Sequence, residues 1–84
     1  MKKIRWVDDV VEALRTLGGK AHYSRIYDAV RNIRITAGRS VPRTFDEVVR
    51  KEIETHSSDS EAYTGREDYL FAPKGLGAGI WALR

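Results

Sequence analysis

Apolar residues recur at helical spacing in three stretches of the chain, and the pattern turns to strand-like alternation only near its end. Trp6, Val10, Leu14 and Leu17 share one face of a 3.6-residue repeat, which predicts a first helix over residues 5–17. Gly18-Gly19 follows as its stop, where a left-handed residue is easily accommodated. Lys20-Ala21-His22 reads as a short extended segment. Ser24 then stands as the N-cap of a second helix over 24–36, with Ile26, Ala29, Val30 and Ile33 on its apolar side. A third helix is predicted over 44–56. Thr44 with Glu47 three residues later fits a capping box, and Phe45, Val48, Val49 and Ile53 make the buried stripe. Its opposite side carries Arg43, Glu47, Arg50, Lys51 and Glu54.

Beyond His56 the pattern changes. Tyr69 and Phe71 alternate, "GIWALR" closes the chain as a second short strand, and the glycine-rich stretch Pro73 to Gly79 between them suits a hairpin tip. The hairpin region spans about 62–84. Trp81 is expected in the core against the first and third helices, and Trp6 at the core's edge. The order helix, strand, helix, helix, strand, loop, strand is that of a winged helix. The expected fold is therefore α+β: one domain over 1–84, a helix-turn-helix of three helices packed on a small antiparallel sheet, with a β-hairpin wing.

Eighty-four residues allow one modest core and leave little room for a deep substrate cleft, which disfavours an enzyme. The absence of cysteine excludes disulfides, thiolate metal sites and a cysteine nucleophile, and suits a reducing cytosol. No apolar run approaches the roughly 20 residues that span a bilayer, and Met1-Lys2-Lys3 is not followed by a signal-type apolar segment. The expected protein is soluble and cytoplasmic. His22 and His56 lack further ligands at recognisable spacing, so no metal is expected. With Asn32 the only asparagine, an HNH-type nuclease centre cannot be assembled. Neither a carboxylate nuclease motif nor a phosphate-binding loop is present, because "GLGAG" lies in a hairpin and does not open a helix. No catalysis and no cofactor are expected.

The net charge of +3 is unevenly distributed. Residues 15–51 hold nine cations against three anions, whereas residues 52–68 hold six anions against Arg66. The acidic stretch has three readings: a solvated loop, a partner-docking strip, or a source of carboxylates, Asp59 and Glu61, that accept from cytosine N4.

The segments "ALRTLGGKAHYSRIYDAV", "RTFDEVVRKEIETHSSDSEAY" and "GLGAGIWALR" resemble the winged-helix domains attached to bacterial restriction-system proteins, including the Mrr-type group and modification-dependent endonucleases. The likeness runs from Val10 to Arg84. Its most distinctive pieces are Leu17-Gly18-Gly19, Ser57-Ser58-Asp59-Ser60 and Gly79 to Arg84. It implies a DNA reader working with a fused or separate nuclease, and some related readers recognise N6-methylated adenine. Double-stranded DNA, methylated or not, is the partner this suggests, with no membrane involved. Two rivals stay open: a winged helix used for protein contacts, and an ordinary transcriptional regulator indifferent to modification.

In a helix-turn-helix the second helix of the motif enters the major groove with its N-terminal residues nearest the bases. That role falls to the third helix, with Arg39, Ser40, Val41, Pro42, Arg43, Thr44 and Glu47 around its mouth, Arg50 and Lys51 further along, and Lys74 on the wing. Arg39 and Arg43 are expected to donate to guanine or phosphate, and Arg50 and Lys51 to clamp the backbone. Val41-Pro42 has two readings. Either Pro42 shapes the turn while Val41 staples to Val48, or the apolar pair meets a thymine or adenine methyl in the groove.

Overall fold

A computed structural model describes residues 4–65 and 67–84; Met1 to Lys3 and Arg66, counted in the charge pattern above, lie outside the described residues. Three helices, α1 (Trp6–Thr16), α2 (Tyr23–Thr36) and α3 (Phe45–Thr55), accompany three strands, β1 (Lys20–His22), β2 (Leu70–Phe71) and β3 (Ile80–Leu83). The strands form one antiparallel sheet in the order β1-β3-β2. Ala21 lies opposite Trp81, and Leu70 opposite Leu83. The molecule is thus a small α+β domain in which the last strand closes the sheet between the first two.

The core sits where the three helical stripes meet the inner side of β3. Val10, Ala13 and Leu14 of α1, Ile26 and Val30 of α2, and Val49 and Ile53 of α3 enclose Leu70 and Trp81. Trp81 is 2 % exposed, as its place on the last strand predicts. On β2 the fully buried residue is Leu70, while Tyr69 and Phe71 on either side remain exposed and half-buried. Period-2 alternation is therefore kept, with its inward position between the two aromatics.

Two helix starts differ from the sequence expectation. Helix α2 begins one residue early, because His22 is its N-cap: Nδ1 accepts from the Ser24 backbone N–H at 3.2 Å. Ser24 is therefore inside the helix, with its hydroxyl 3.2 Å from the same nitrogen. The Thr44–Glu47 capping box does not form. Thr44 has φ −99° and ψ 26° and makes no side-chain cap, since that ψ leaves the extended region from which a hydroxyl reaches back to the helix. A turn in which the Phe45 N–H donates to the Pro42 carbonyl at 3.0 Å leads into α3 instead. Asp46 and Glu47 in its first turn still complement the helix dipole.

No helix among the described residues is long and apolar enough to cross a membrane.

Candidate nucleic-acid interface

The segment between α2 and α3 is held by a buried charge cluster that the apolar pattern half conceals. Asp9 lies on the inner face of α1 and is 2 % exposed. It accepts from Arg34 Nη1 at 2.8 Å and also from Nη2 of Arg39. Arg34 donates from Nε to the Ser40 carbonyl at 2.6 Å and lays its guanidinium 3.6 Å from the centre of the Trp6 ring. The Arg39 amide donates to the Arg34 carbonyl at 2.8 Å. One carboxylate and two guanidiniums therefore fix residues 39–40 against the body of the domain.

This changes the role of Arg39. Its guanidinium is directed inward to Asp9, with Nε buried, so it is an anchor of the segment and not a free donor at the helix mouth. Ser40 contributes its carbonyl to the same anchor. Val41 is half-buried, whereas Pro42, Arg43 and Thr44 are exposed. Arg43 thus remains the one expected mouth arginine free of an ion pair among the described residues.

Along α3 the expected cationic face is electrically balanced. Arg43, Arg50 and Lys51 stand with Asp46, Glu47 and Glu54. Arg50 is engaged with Glu54 at 3.3 Å and lies 5.1 Å from the centre of the Tyr23 ring. Its pKa is raised chiefly by the hydrogen bond to Glu54. Lys51 and Glu47 are exposed and free of ion pairs among the described residues.

Tyr23 joins three elements that sequence reading kept apart. Its ring stacks on Tyr27 at 5.8 Å, its hydroxyl donates to Glu54 Oε1 at 3.3 Å, and its amide donates to the Gly79 carbonyl at 3.0 Å. Burial raises the pKa of both tyrosines. Tyr27 in turn meets Phe45 edge-on at 6.4 Å. The first turns of α2, helix α3 and the base of the β2–β3 hairpin therefore form one unit. Lys74 is exposed in the turn that leads from β2 to the hairpin tip.

The acidic stretch is mostly a folding device. Asp59 accepts from the Ala72 amide at 2.8 Å and lies 3.6 Å from Arg84, and Asp68 accepts from the Ser58 amide at 2.9 Å and pairs with Arg84 at 2.9 Å. Glu67 pairs with Arg5 at 2.7 Å and accepts from the Tyr69 hydroxyl at 2.6 Å. Those contacts, Arg5 first, hold its carboxyl down at about 2. Asp68 is lowered as well, chiefly by Ser58. Ser57, fully buried, closes the turn by accepting from the Asp59 amide at 3.3 Å. Asp59 is thus committed to the loop; Glu61 is exposed.

Removing the paired groups leaves a distinct pattern. Among the described residues Lys20, Arg25, Arg31, Arg43, Lys51 and Lys74 make no ion pair, against the unpaired acids Asp28, Asp46, Glu47 and Glu61. All the free cations follow α1, on β1, α2, the approach to α3, α3 itself and the hairpin. Sequence reasoning missed Asp9, Tyr23 and Tyr27. Asp9 had a signal, a carboxylate beside Val10 on an apolar stripe, and Arg34 had another, continuing Ile26 and Val30 at four-residue steps.

Comparison with protein-family models, curated proteins and solved structures finds no match to this chain.

Proposed function

We propose that this domain is a winged helix that binds double-stranded DNA without catalysing a reaction on it. The observation that carries the reading is the unit tied by Tyr23, which joins α2, α3 and the base of the hairpin, together with an exposed Arg43 at the entrance to α3 and an exposed Lys74 on the hairpin, neither of them in an ion pair among the described residues. In such an arrangement α3 lies in the major groove with its first turn nearest the bases, and the hairpin follows the adjoining backbone. Arg43 is the candidate base reader. Lys51 and Lys74 are candidate phosphate contacts, each a point charge that makes no ion pair among the described residues.

The acids Asp46 and Glu47 at the same helix mouth repel phosphates. Affinity that does not come from charge must then come from base contacts, which raises specific over nonspecific binding. Val41-Pro42 lies next to Arg43 and offers the apolar surface for a thymine or N6-methyladenine methyl. With the sequence likeness to restriction-system domains, this supports a target-sensing module that acts with a fused or separate nuclease in the cytoplasm.

One observation favours a second reading, a winged helix used for protein contacts: α3 carries four acids, Asp46, Glu47, Glu52 and Glu54, against two cations, Arg50 and Lys51. A titration against unmodified, adenine-methylated and cytosine-modified versions of one duplex, repeated from about 50 to 200 mM salt, separates the two. DNA binding requires affinity to fall steeply with salt as counterions are released. If a methyl is read, Val41→Ser removes the preference for methylated duplex, about tenfold for two methyl groups, and leaves unmethylated binding unchanged. No duplex binding at the lowest salt leaves the protein-contact reading.

A further inference from the structure

Residues 37–44 join α2 to α3 and carry Val41, Pro42 and Arg43 without helix or strand of their own. At the downstream end one turn leads into α3, closed by the bond from the Phe45 amide to the Pro42 carbonyl, and Thr44 adds no side-chain cap. The upstream end is held more firmly. The Gly38 and Arg39 amides donate to the Ile35 and Arg34 carbonyls at 3.1 and 2.8 Å, with Gly38 at φ 73°, which is the Schellman closure of a helix. Arg34 then reaches past that closure with its side chain: Nε donates to the Ser40 carbonyl at 2.6 Å while Nη1 donates to Asp9 at 2.8 Å. One residue thus grips both 39 and 40, by its carbonyl and by its guanidinium.

Arg34 is 7 % exposed, and a guanidinium so buried takes its orientation from its partners. Two of them lie on α1: the Asp9 carboxylate and the face of the Trp6 ring, 3.6 Å from the guanidinium carbon. Helix α1 therefore decides, through Arg34, where the chain passes at Ser40. Val41 follows one residue later and Arg43 three residues later. With the Ser40 carbonyl held, the fixed φ of Pro42 and the turn from Pro42 to Phe45 leave the backbone at Arg43 little freedom.

We infer that Arg34 is a positioning residue for target discrimination: seated on Asp9 and Trp6, it sets the path of Val41-Pro42-Arg43 before DNA arrives and touches no DNA itself. Base contacts gain from that preparation, because a segment ordered only on binding loses its conformational entropy at that moment. Phosphate contacts from Lys51 and Lys74 lie outside the segment and do not depend on it. Arg34 governs the preference among duplexes, and the lysines supply the affinity common to all of them. This rests on the DNA-binding reading above and names the residue that gives it selectivity.

The test uses the full chain and Arg34→Lys, which keeps a positive charge beside Asp9 but replaces the planar fork with one ammonium that cannot serve both the carboxylate and the Ser40 carbonyl. Both proteins are titrated at fixed salt against unmodified, adenine-methylated and cytosine-modified versions of one duplex. Arg34→Lys is expected to weaken the tightest of the three about tenfold and the weakest less than about twofold, so that the preference collapses. Amide exchange in the free protein should quicken at Val41, Arg43 and Thr44 and stay unchanged at Val49 and Ile53 in the core of α3. Trp6→Leu, which keeps the ion pair and removes the ring face, should lower the preference by a smaller factor. Leu70→Val loosens the core away from the segment, and should lower the thermal midpoint while keeping the preference. The inference is overturned if Arg34→Lys and Trp6→Leu keep the preference, if Leu70→Val loses it as they do, or if wild type binds the three duplexes alike. Failure of wild type to bind any duplex overturns the DNA-binding reading itself.

Discussion

The Asp9 carboxylate on α1 sits 2.8 Å from Arg34 Nη1 on α2, with the two side chains 3 % and 8 % exposed. A lone buried charge is costly, and this one has two partners, since Arg39 shares the carboxylate. Asp9→Asn keeps the shape and removes the charge, leaving Arg34 buried without its counter-ion. The expected loss is about 3–5 kcal/mol in a urea titration, with faster amide exchange at Arg39 than at the α1 core residues. A loss below about 1 kcal/mol shows that the cluster does not hold the segment.

The hairpin lock is tested by a matched pair of glycine substitutions. Gly79 has φ 70°, and a Cβ added there would stand 2.9 Å from His22 Nε2, so Gly79→Ala is expected to destabilise by about 1–3 kcal/mol. Gly77→Ala meets nothing within 4 Å and should stay within about 0.5 kcal/mol of wild type. Equal thermal midpoints for the two variants would mean that the hairpin base relaxes freely.

Acid should loosen the loop after α3 in a defined order of sign. The Glu67 carboxyl is lowered in the folded state from 4.5 to about 2 by Arg5 and then Tyr69, so its contribution is fully present above pH 4.5 and lost as pH falls through about 2. Asp68, lowered by Ser58 and Arg84, acts in the same direction. Thermal midpoints of wild type and Glu67→Gln are therefore expected to differ at about pH 6 and to converge toward pH 2. A gap that stays constant with pH refutes the ionic origin of the contact.

At the entrance to α3, Arg43→Ala is expected to lower affinity for the preferred duplex by about 1–3 kcal/mol, and by less for random DNA. Competition binding at fixed salt measures both. An equal loss on the two assigns Arg43 to the phosphate backbone.

The elements were legible in the sequence because periodicity is a local property. Trp6, Val10 and Leu14, or Val49 and Ile53, declare a helix face whatever they pack on, and Gly18-Gly19 or Gly75 to Gly79 declare turns through backbone freedom alone. The same reasoning put Trp81 in the core and separated the three helices from the closing hairpin. Helix starts were less legible, since the caps at His22 and Thr44 depend on a χ angle and a ψ that the neighbouring fold sets.

Tertiary structure alone decided which charges are free. Segment arithmetic treats Arg39 and Arg43 as equals and residues 52–68 as one acidic run. Only the folded chain brings Glu67 to Arg5, 62 positions away, turns Arg39 toward Asp9, 30 positions away, and closes Asp68 on Arg84. Ion pairing falls off over a few ångströms and ignores distance along the chain, so composition fixes the supply of charge while packing settles which side chains remain for a ligand. Arg43, Lys51 and Lys74 are left exposed by that settlement, as is Leu76 on its glycine-framed turn.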